Sequence, residues 1–460
     1  MNKRKAFLSP AIIILITIWL QNNIRAASGN DIESIIKQYQ QETKCENVSV
    51  VVFDNGEISY YGDSEGLYQI GSMTKAFTGL AIQKLIDEGL VNEDGVVSDY
   101  IEGFEAYYES AKADITVRDL IEQKSGYTNI EKDYPSATEA MTLSEWADSI
   151  CGRELSFRPG TEYAYSNVNY NLLGLIIENV SEIPYRDYME QEILIPLGLR
   201  NTFVGTPDDN RIIEGTRLGY RHVFEFPMSV KEASIPAGYF YSNAEDMGRW
   251  IDIWTESSDV PEDIKEALSK IGKQLKEEGD YYSGWELFAD GVTGHSGGTP
   301  NYSSRLVMDE KNHTGVCVLS NLNVAATTDS LCNSILSIVS GNIPEKLNRD
   351  IWTIFDDIFV LVTVTGMFLF PVILVVKKRA VLIAFDVILI FLLTLVLILL
   401  PIIFGAGMKE IVFTWASWSL AGGLLTIAAD ILGATVKLLI GNKNADHNKT
   451  GKRQTADGYN

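Results

Sequence analysis

The stretch Gly71-Ser72-Met73-Thr74-Lys75-Ala76-Phe77-Thr78-Gly79-Leu80 opens a helical pattern that is predicted to run from Ser72 to about Asp87. In a helix starting near Ser72, Lys75 falls at i+3 on the same face, so its amine can reach the serine hydroxyl. Serine is a poor nucleophile until a neighbouring base takes its proton. Lysine is such a base only where burial or nearby positive charge lowers its pKa. The same residues also fit an ordinary helix start, with Ser72 as N-cap and Lys75 solvated, and Ser-x-x-Lys occurs by chance about once or twice in a chain this long. The surrounding sequence has to decide.

Upstream, Val48 to Phe53, the turn Asp54-Asn55-Gly56 and Glu57 to Tyr61 read as a β-hairpin. Downstream, mostly helices and loops run to about Asp252. Tyr282 to Phe288, Ser303 to Met308 and Thr314 to Leu319 then read as strands, followed by a helix from about Thr328 to Val339. Strands at both ends of a helical middle predict one sheet closed by the two chain ends, an α+β domain with a helical insertion.

Two further motifs bear on chemistry. Tyr165-Ser166-Asn167 follows Phe157-Arg158-Pro159-Gly160 and leads into a helical run. Its phenol can relay a proton to a leaving group, and Asn167 can hold Lys75 or a substrate carbonyl. Tyr127-Thr128-Asn129 and Tyr241-Ser242-Asn243 share the Tyr-x-Asn pattern, but Asn243 reads as a helix N-cap and Tyr127 as a loop residue, so the flanking sequence favours Tyr165. The third motif is His295-Ser296-Gly297-Gly298, in a strand-like context. Its glycines admit close approach of a substrate backbone and leave amides free as oxyanion donors. Taken alone, it also fits a glycine-rich turn with a surface histidine.

Together, in this order and spacing, the three motifs resemble those of the class C β-lactamase and DD-peptidase family of serine hydrolases, over essentially all of residues 30–340. Leu120 to Gly126, Ile195-Pro196-Leu197-Gly198 and Pro236-Ala237-Gly238 add to the resemblance. It implies a β-lactamase-like sheet flanked by helices and Ser72 as the acylated nucleophile. It also implies shared general acid/base work by Lys75 and Tyr165, an orienting Asn167, and an oxyanion hole from the amides of Ser72 and Gly298. His295, Ser296 and Gly297 would lie on the substrate strand. The class C enzymes carry Lys where this chain has His295. A mostly neutral imidazole binds a substrate carboxylate less strongly than an ammonium, which shifts weight toward peptidase or esterase chemistry.

The chain has 460 residues, 46% of them hydrophobic and 22% charged, with a formal net charge of -23. Residues 28–340 hold the excess acid, at 23 Lys+Arg against 52 Asp+Glu. Nucleic acid is therefore an unexpected partner, because phosphate binding needs clustered Lys and Arg. Lys3-Arg4-Lys5, the apolar run Ala6 to Leu20 and Ala26-Ala27-Ser28 lay out residues 1–27 as a secretory signal peptide, or an anchor if it is left uncleaved. The exported domain is expected over residues 28–345. Ile358 to Val376, Ala380 to Phe404 and Ile411 to about Ile440 each reach the roughly 20 residues needed to cross a bilayer, which predicts a three-helix transmembrane bundle within residues 355–440. Lys377-Lys378-Arg379 and the basic residues of the tail, 441–460, are expected inside the cell and the catalytic domain outside. Asp386 and Asp430 fall within the spans, where they either snorkel toward lysines or take part in a relay. Ser419 with Gly423, and Ala429 with Gly433, have the small-xxx-small spacing of packed helices.

Cys45, Cys151, Cys317 and Cys332 lie in a compartment where disulfides can form, with three connectivities open. His222, His313 and His447 show no metal-ligand spacing, so neither metal nor cofactor is expected. The architecture also resembles membrane peptidases that remove an acyl-D-amino-acid leader from a prodrug. The sequence thus predicts a membrane-anchored serine hydrolase acting beside D-amino acids on a peptide or small cell-envelope substrate. The competing readings are a β-lactamase proper and a penicillin-binding sensor without turnover.

Overall fold

An Asn-Gly turn needs two left-handed residues, and Asn55 (φ 49°) and Gly56 (φ 88°) supply them between β1 (Val48–Asp54) and β2 (Glu57–Tyr61). The computed structural model describes residues 32–128, 140–255, 260–288 and 291–456, without the side chains of residues 278 and 441–456. The expected signal segment, 1–27, lies outside the described residues.

Downstream, β3 (Tyr281–Tyr282), β4 (Trp285–Leu287), β5 (Val292–Thr299), β6 (Tyr302–Asp309) and β7 (Thr314–Ser320) follow one another as antiparallel neighbours. β7 also pairs with β1, Val48 opposite Ser320 and Asp54 opposite Thr314, giving the sheet order β3-β4-β5-β6-β7-β1-β2. β1, flanked by β7 and the edge strand β2, is buried from Val48 to Phe53, which accounts for its unbroken Val-Ser-Val-Val-Val-Phe run.

On one face of the sheet lie α1 (Ile32–Thr43) and, near the domain's end, Ala325–Val339. Ile35, Tyr39, Leu331 and Ile335 pack there on Val50, Val316 and Val318. The other face carries the helical insertion, including α2 (Thr74–Asp87), α3 (Asn167–Ser181), α4 (Ala244–Thr255) and α5 (Glu262–Glu278). Phe77 of α2 stacks on Trp250 of α4 with ring centroids 4.5 Å apart, and Trp250 on Trp285 of β4 at 6.1 Å. Such pairs add about 0.5–1.5 kcal/mol each beyond the area they bury. This is the anticipated α+β arrangement, one antiparallel sheet closed by strands from both ends of the domain with a helical insertion between them.

Two sequence readings need correction. Tyr282 to Phe288 is not one strand, because Ser283 (φ 49°) and Gly284 (φ 83°) turn the chain between β3 and β4. The turn presses on α2: a Cβ on Gly284 would lie 2.3 Å from the carbonyl carbon of Lys75, and one on Gly79 would lie 2.2 Å from Ser283 O. Ser72 does not cap a helix; it sits in a 3-10 turn, Gly71–Met73, and α2 begins at Thr74. The disulfide question that the sequence left open has a plain answer here: all four thiols are free, with Cys45, Cys317 and Cys332 buried.

Beyond the helix Ala325–Val339, here α6, the chain forms α7 (Ile351–Val375), α8 (Arg379–Phe404) and α9 (Trp418–Ala456). α7, α8 and the Trp418–Ile440 part of α9 are long and apolar enough to cross a membrane. The third span starts later than expected, because Ile411–Trp415 forms a separate turn and the chain is extended at Ala416. Gly423 and Gly433 of α9 let α7 approach closely, since a Cβ on them would lie 2.6 Å from Phe359 and 2.9 Å from Phe370.

The sheet domain meets the bundle through a hairpin, Thr216–Gly219 with His222–Glu225. Tyr220 (φ 54°) and Arg221 (φ 62°) form its left-handed turn, and the Asp356 carboxylate of α7 accepts both of their amides at 2.8 and 2.7 Å.

Candidate active site

Lys75 projects from the first turn of α2 into an interior from which water is excluded, being fully buried. Its Nζ donates to Asn167 Oδ1 at 2.7 Å and to the carbonyl oxygen of Ala237 at 2.5 Å, and lies 3.0 Å from Ser72 Oγ. Burial drives the amine well below the usual lysine range, against an opposing pull from the Glu286 carboxylate. A neutral amine has two hydrogens and one lone pair. Asn167 Oδ1 and Ala237 O only accept, so they take both hydrogens and leave the lone pair for the Ser72 hydroxyl proton.

Ser72 is held in place by its glycine neighbour. Gly71 has φ +52°, and a Cβ there would lie 2.4 Å from the Gly298 amide nitrogen, so only glycine lets the serine turn lie against β5. A Cβ on Gly297 would lie 2.0 Å from Ile70 O, whereas one on Gly298 would meet open space. Gly297 is thus a packing residue, and Gly298 faces the cleft.

Tyr165 stands on the loop before α3. Gln123 anchors this loop: its backbone carbonyl accepts from Ala164 N and its side-chain Oε1 accepts from Ser166 N, both at 2.9 Å. Ser166 caps α3 through Val168 N, which brings Asn167 in at the helix start. The Tyr165 ring lies 4.8 Å from Lys75 Nζ, and its enclosed hydroxyl interacts with Ser72 without a well-aligned hydrogen bond. Burial raises it well above the ordinary tyrosine range, with Ser72 opposing, so it keeps its proton.

His295 and Ser296 point to opposite faces of β5, as alternation requires. The His295 ring lies 5.9 Å from both the Tyr165 and Tyr281 rings, beneath the site. Burial, with help from Lys75, pulls it down to about 3, so it is neutral. Its Nδ1–H donates to Ser296 O at 2.6 Å, which leaves Nε2 as the bare nitrogen. Ser296 departs from the expected substrate-lining position. Its hydroxyl donates to Asp329 on α6 at 2.9 Å and accepts from Arg305 at 2.6 Å, on the far side of the sheet.

The structure therefore brings Ser72, Lys75, Tyr165 and Asn167 together beside Gly298, with His295 behind them and Ser296 turned away. Tyr241-Ser242-Asn243 stays outside the site, with Asn243 Oδ1 accepting from Asp246 N as an N-cap does. Among the described residues no group of His, Cys, Asp and Glu could hold a metal. Two features had no sequence signal: the Ala237 carbonyl, a backbone atom, and the far wall of the cleft. That cleft, about 390 Å³, is lined by Ser72, Asn167, Gly238 and Gly298 on one side, and by residues 404–406, Glu410, Ile411, Thr414 and Trp415 of the bundle on the other.

A serine turn against an antiparallel sheet, with a lysine at i+3 and a tyrosine from a helical insertion, is the arrangement of a β-lactamase-like fold. The β-lactamase family matches residues 32–334, and the chain belongs to it. Protein flp of Staphylococcus aureus (strain MW2) is 31% identical over 320 residues, covering 64% of this chain and 64% of that protein. The chain thus spans just under two thirds of the length of this relative. The "Putative D-alanyl-D-alanine carboxypeptidase" of Escherichia coli O157:H7 is 34% identical over 145 residues, 30% of this chain and 33% of that one. Among solved structures, the octameric penicillin-binding protein homologue from Pyrococcus abyssi superposes with a TM-score of 0.58 at 22% identity, covering 71% of this chain and 80% of that one. The β-lactamase/D-alanine carboxypeptidase from Pseudomonas syringae gives 0.57 at 16% identity, covering 67% and 97%.

Proposed function

We propose that the protein is a membrane-anchored, extracytoplasmic serine hydrolase that forms an acyl-enzyme through Ser72 and cleaves an amide or ester beside a D-amino acid. The observation that carries this is the position of the buried Lys75 Nζ, 3.0 Å from Ser72 Oγ, with the acceptors Asn167 Oδ1 and Ala237 O as its other two neighbours, so that an amine that has lost its proton keeps its lone pair for the serine. In this reading Ser72 Oγ attacks the substrate carbonyl carbon as Nζ takes the hydroxyl proton. The amides of Ser72 and Gly298 receive the oxyanion. On collapse the carbon–nitrogen or carbon–oxygen bond breaks, and the proton passes from Lys75 through the Tyr165 phenol to the leaving group. Water then enters by the same route in reverse and frees the acid.

The neutral His295 supports peptidase or esterase chemistry over capture of a carboxylate at this strand. The names of the Escherichia coli and Pseudomonas relatives support a D-alanyl peptide as the substrate class. Membrane anchoring is supported by the three apolar helices. The basic loop Lys377-Lys378-Arg379 lies at the end of α7 away from the catalytic fold, which supports an external site under the positive-inside rule. The test is a substrate panel on the purified full-length protein: nitrocefin, an acyl-D-Ala-D-Ala peptide, an acyl-D-Asn peptide and a simple ester, with intact mass reporting the adduct. Acylation on Ser72 with turnover of a D-peptide supports the proposal. Rapid nitrocefin turnover alone makes the protein a β-lactamase, and a stable adduct without turnover makes it a sensor.

A further inference from the structure

The cleft that holds Ser72 is completed by the membrane bundle, and one residue of the catalytic fold ties the two together. Arg217, on the docking hairpin, is buried at its charged end and has no carboxylate partner in its set of hydrogen bonds. Its guanidinium donates to the carbonyl oxygens of Val412 at 2.5 Å, Phe413 at 2.9 Å and Ala416. These carbonyls close the short turn Ile411–Trp415, where a helical segment ends and its last acceptors would otherwise go unpaired. The guanidinium plane also lies 4.1 Å from the Trp418 ring centroid and 4.9 Å from that of Phe226. Burial lowers Arg217 to about 10, still charged at neutral pH. A buried charge spent on three backbone carbonyls fixes that turn in place.

Ile411, Thr414 and Trp415 of this turn face into the cleft, alongside Trp352 and Phe404 from α7 and α8. The Trp415 indole donates to Glu410 at 3.2 Å, the one carboxylate on this wall among the described residues. What remains toward the cleft is mostly aromatic and aliphatic.

We propose that the turn Ile411–Trp415 is a specificity wall for an apolar part of the substrate remote from the scissile bond, and that Arg217 is its positioning residue. The inference rests on the reading of Ser72 as the acylated residue. Arg217 itself touches no reacting atom; it acts by holding the wall.

The test compares p-nitrophenyl acetate with p-nitrophenyl 4-phenylbutyrate on the full-length protein in detergent micelles, since the two share a leaving group and differ only in apolar reach. Arg217→Ala is expected to lower kcat/KM for the phenylbutyrate about tenfold, mainly through KM, with the acetate changed less than about twofold. Arg217→Lys is expected to behave like Arg217→Ala, because a point charge cannot span three carbonyls as the guanidinium fork does. Thr414→Trp narrows the wall with Arg217 intact, and is expected to act selectively on the phenylbutyrate; it carries the test if Arg217→Ala does not fold. Equal losses on both esters, or no change in their ratio in either variant, would overturn the inference. Ester hydrolysis that survives in Ser72→Ala would instead overturn the reading on which it rests.

Discussion

The side-chain nitrogen of Lys75 lies 2.5 Å from the backbone oxygen of Ala237, a residue on a different element and far along the chain. Together with Asn167 it settles where the two hydrogens of a neutral amine go, and hence which way the base faces.

Removing that base should be costly. Lys75→Ala is expected to slow acylation of Ser72 by about 10²–10⁴, the usual worth of a positioned general base. Lys75→Arg should not rescue it, because a guanidinium stays charged at any working pH. Stopped-flow acylation by a fluorescent penicillin measures both.

Tyr165→Phe removes the relay and leaves the ring. Hydrolysis is expected to fall by about 10²-fold or more, and amides should suffer more than activated esters, whose leaving groups need no proton. A similar loss on p-nitrophenyl acetate and on a D-Ala-D-Ala peptide would count against the relay.

The pH profile follows from the same two groups. The reactive form has Lys75 neutral and Tyr165 protonated. Activity should therefore rise through a pKa well below that of free lysine and hold until above the ordinary tyrosine range. Initial rates of kcat/KM against pH would show a broad plateau, and its acid limb should be unchanged in His295→Gln, since His295 does not titrate near the ordinary histidine value.

His295 instead governs acid stability. Its folded pKa, about 3, is below the roughly 6.5 of an unfolded histidine, so between these values the unfolded chain binds the extra proton. Stability contributed by the neutral ring is present above pH 6.5 and is lost as pH falls, by up to about 1.4 kcal/mol per unit. His295→Gln should flatten the fall in melting temperature between pH 6.5 and pH 4. An unchanged slope would mean that other groups dominate.

Gly71→Ala tests the serine turn. A positive φ and a Cβ 2.4 Å from the Gly298 nitrogen should cost about 1–3 kcal/mol and shift Ser72 away from β5. Lower thermal stability and lost acylation are expected together.

The parts of the fold and site that could be read in advance are those that residue type encodes. The Asn-Gly turn announced the first hairpin, and the valine-rich runs announced the strands that close on it. The pairing of Ser72 with Lys75 depended on helical spacing, and the 3-10 turn before α2 still left the two side chains within reach. Ser283-Gly284 broke an expected strand because two left-handed residues let the chain fold onto α2. Ser296 faced away because strand alternation sends neighbours to opposite sides, so it and His295 cannot share a cleft. Pro236-Ala237-Gly238 stood out only as part of the resemblance, and neither the role of the Ala237 carbonyl nor the Arg217 contacts could be read, since a backbone oxygen looks the same in every residue and partners distant in the chain carry no local pattern.

The pairing of Val48 with Ser320 has a consequence for biogenesis. A ribosome delivers the first hairpin long before the strand that flanks it, so β1 must wait with one edge unsatisfied while the intervening helices emerge. The sheet is sealed by nearly the last strand made before the apolar helices. Truncation anywhere upstream of β7 leaves that early edge open to proteases and to neighbouring chains.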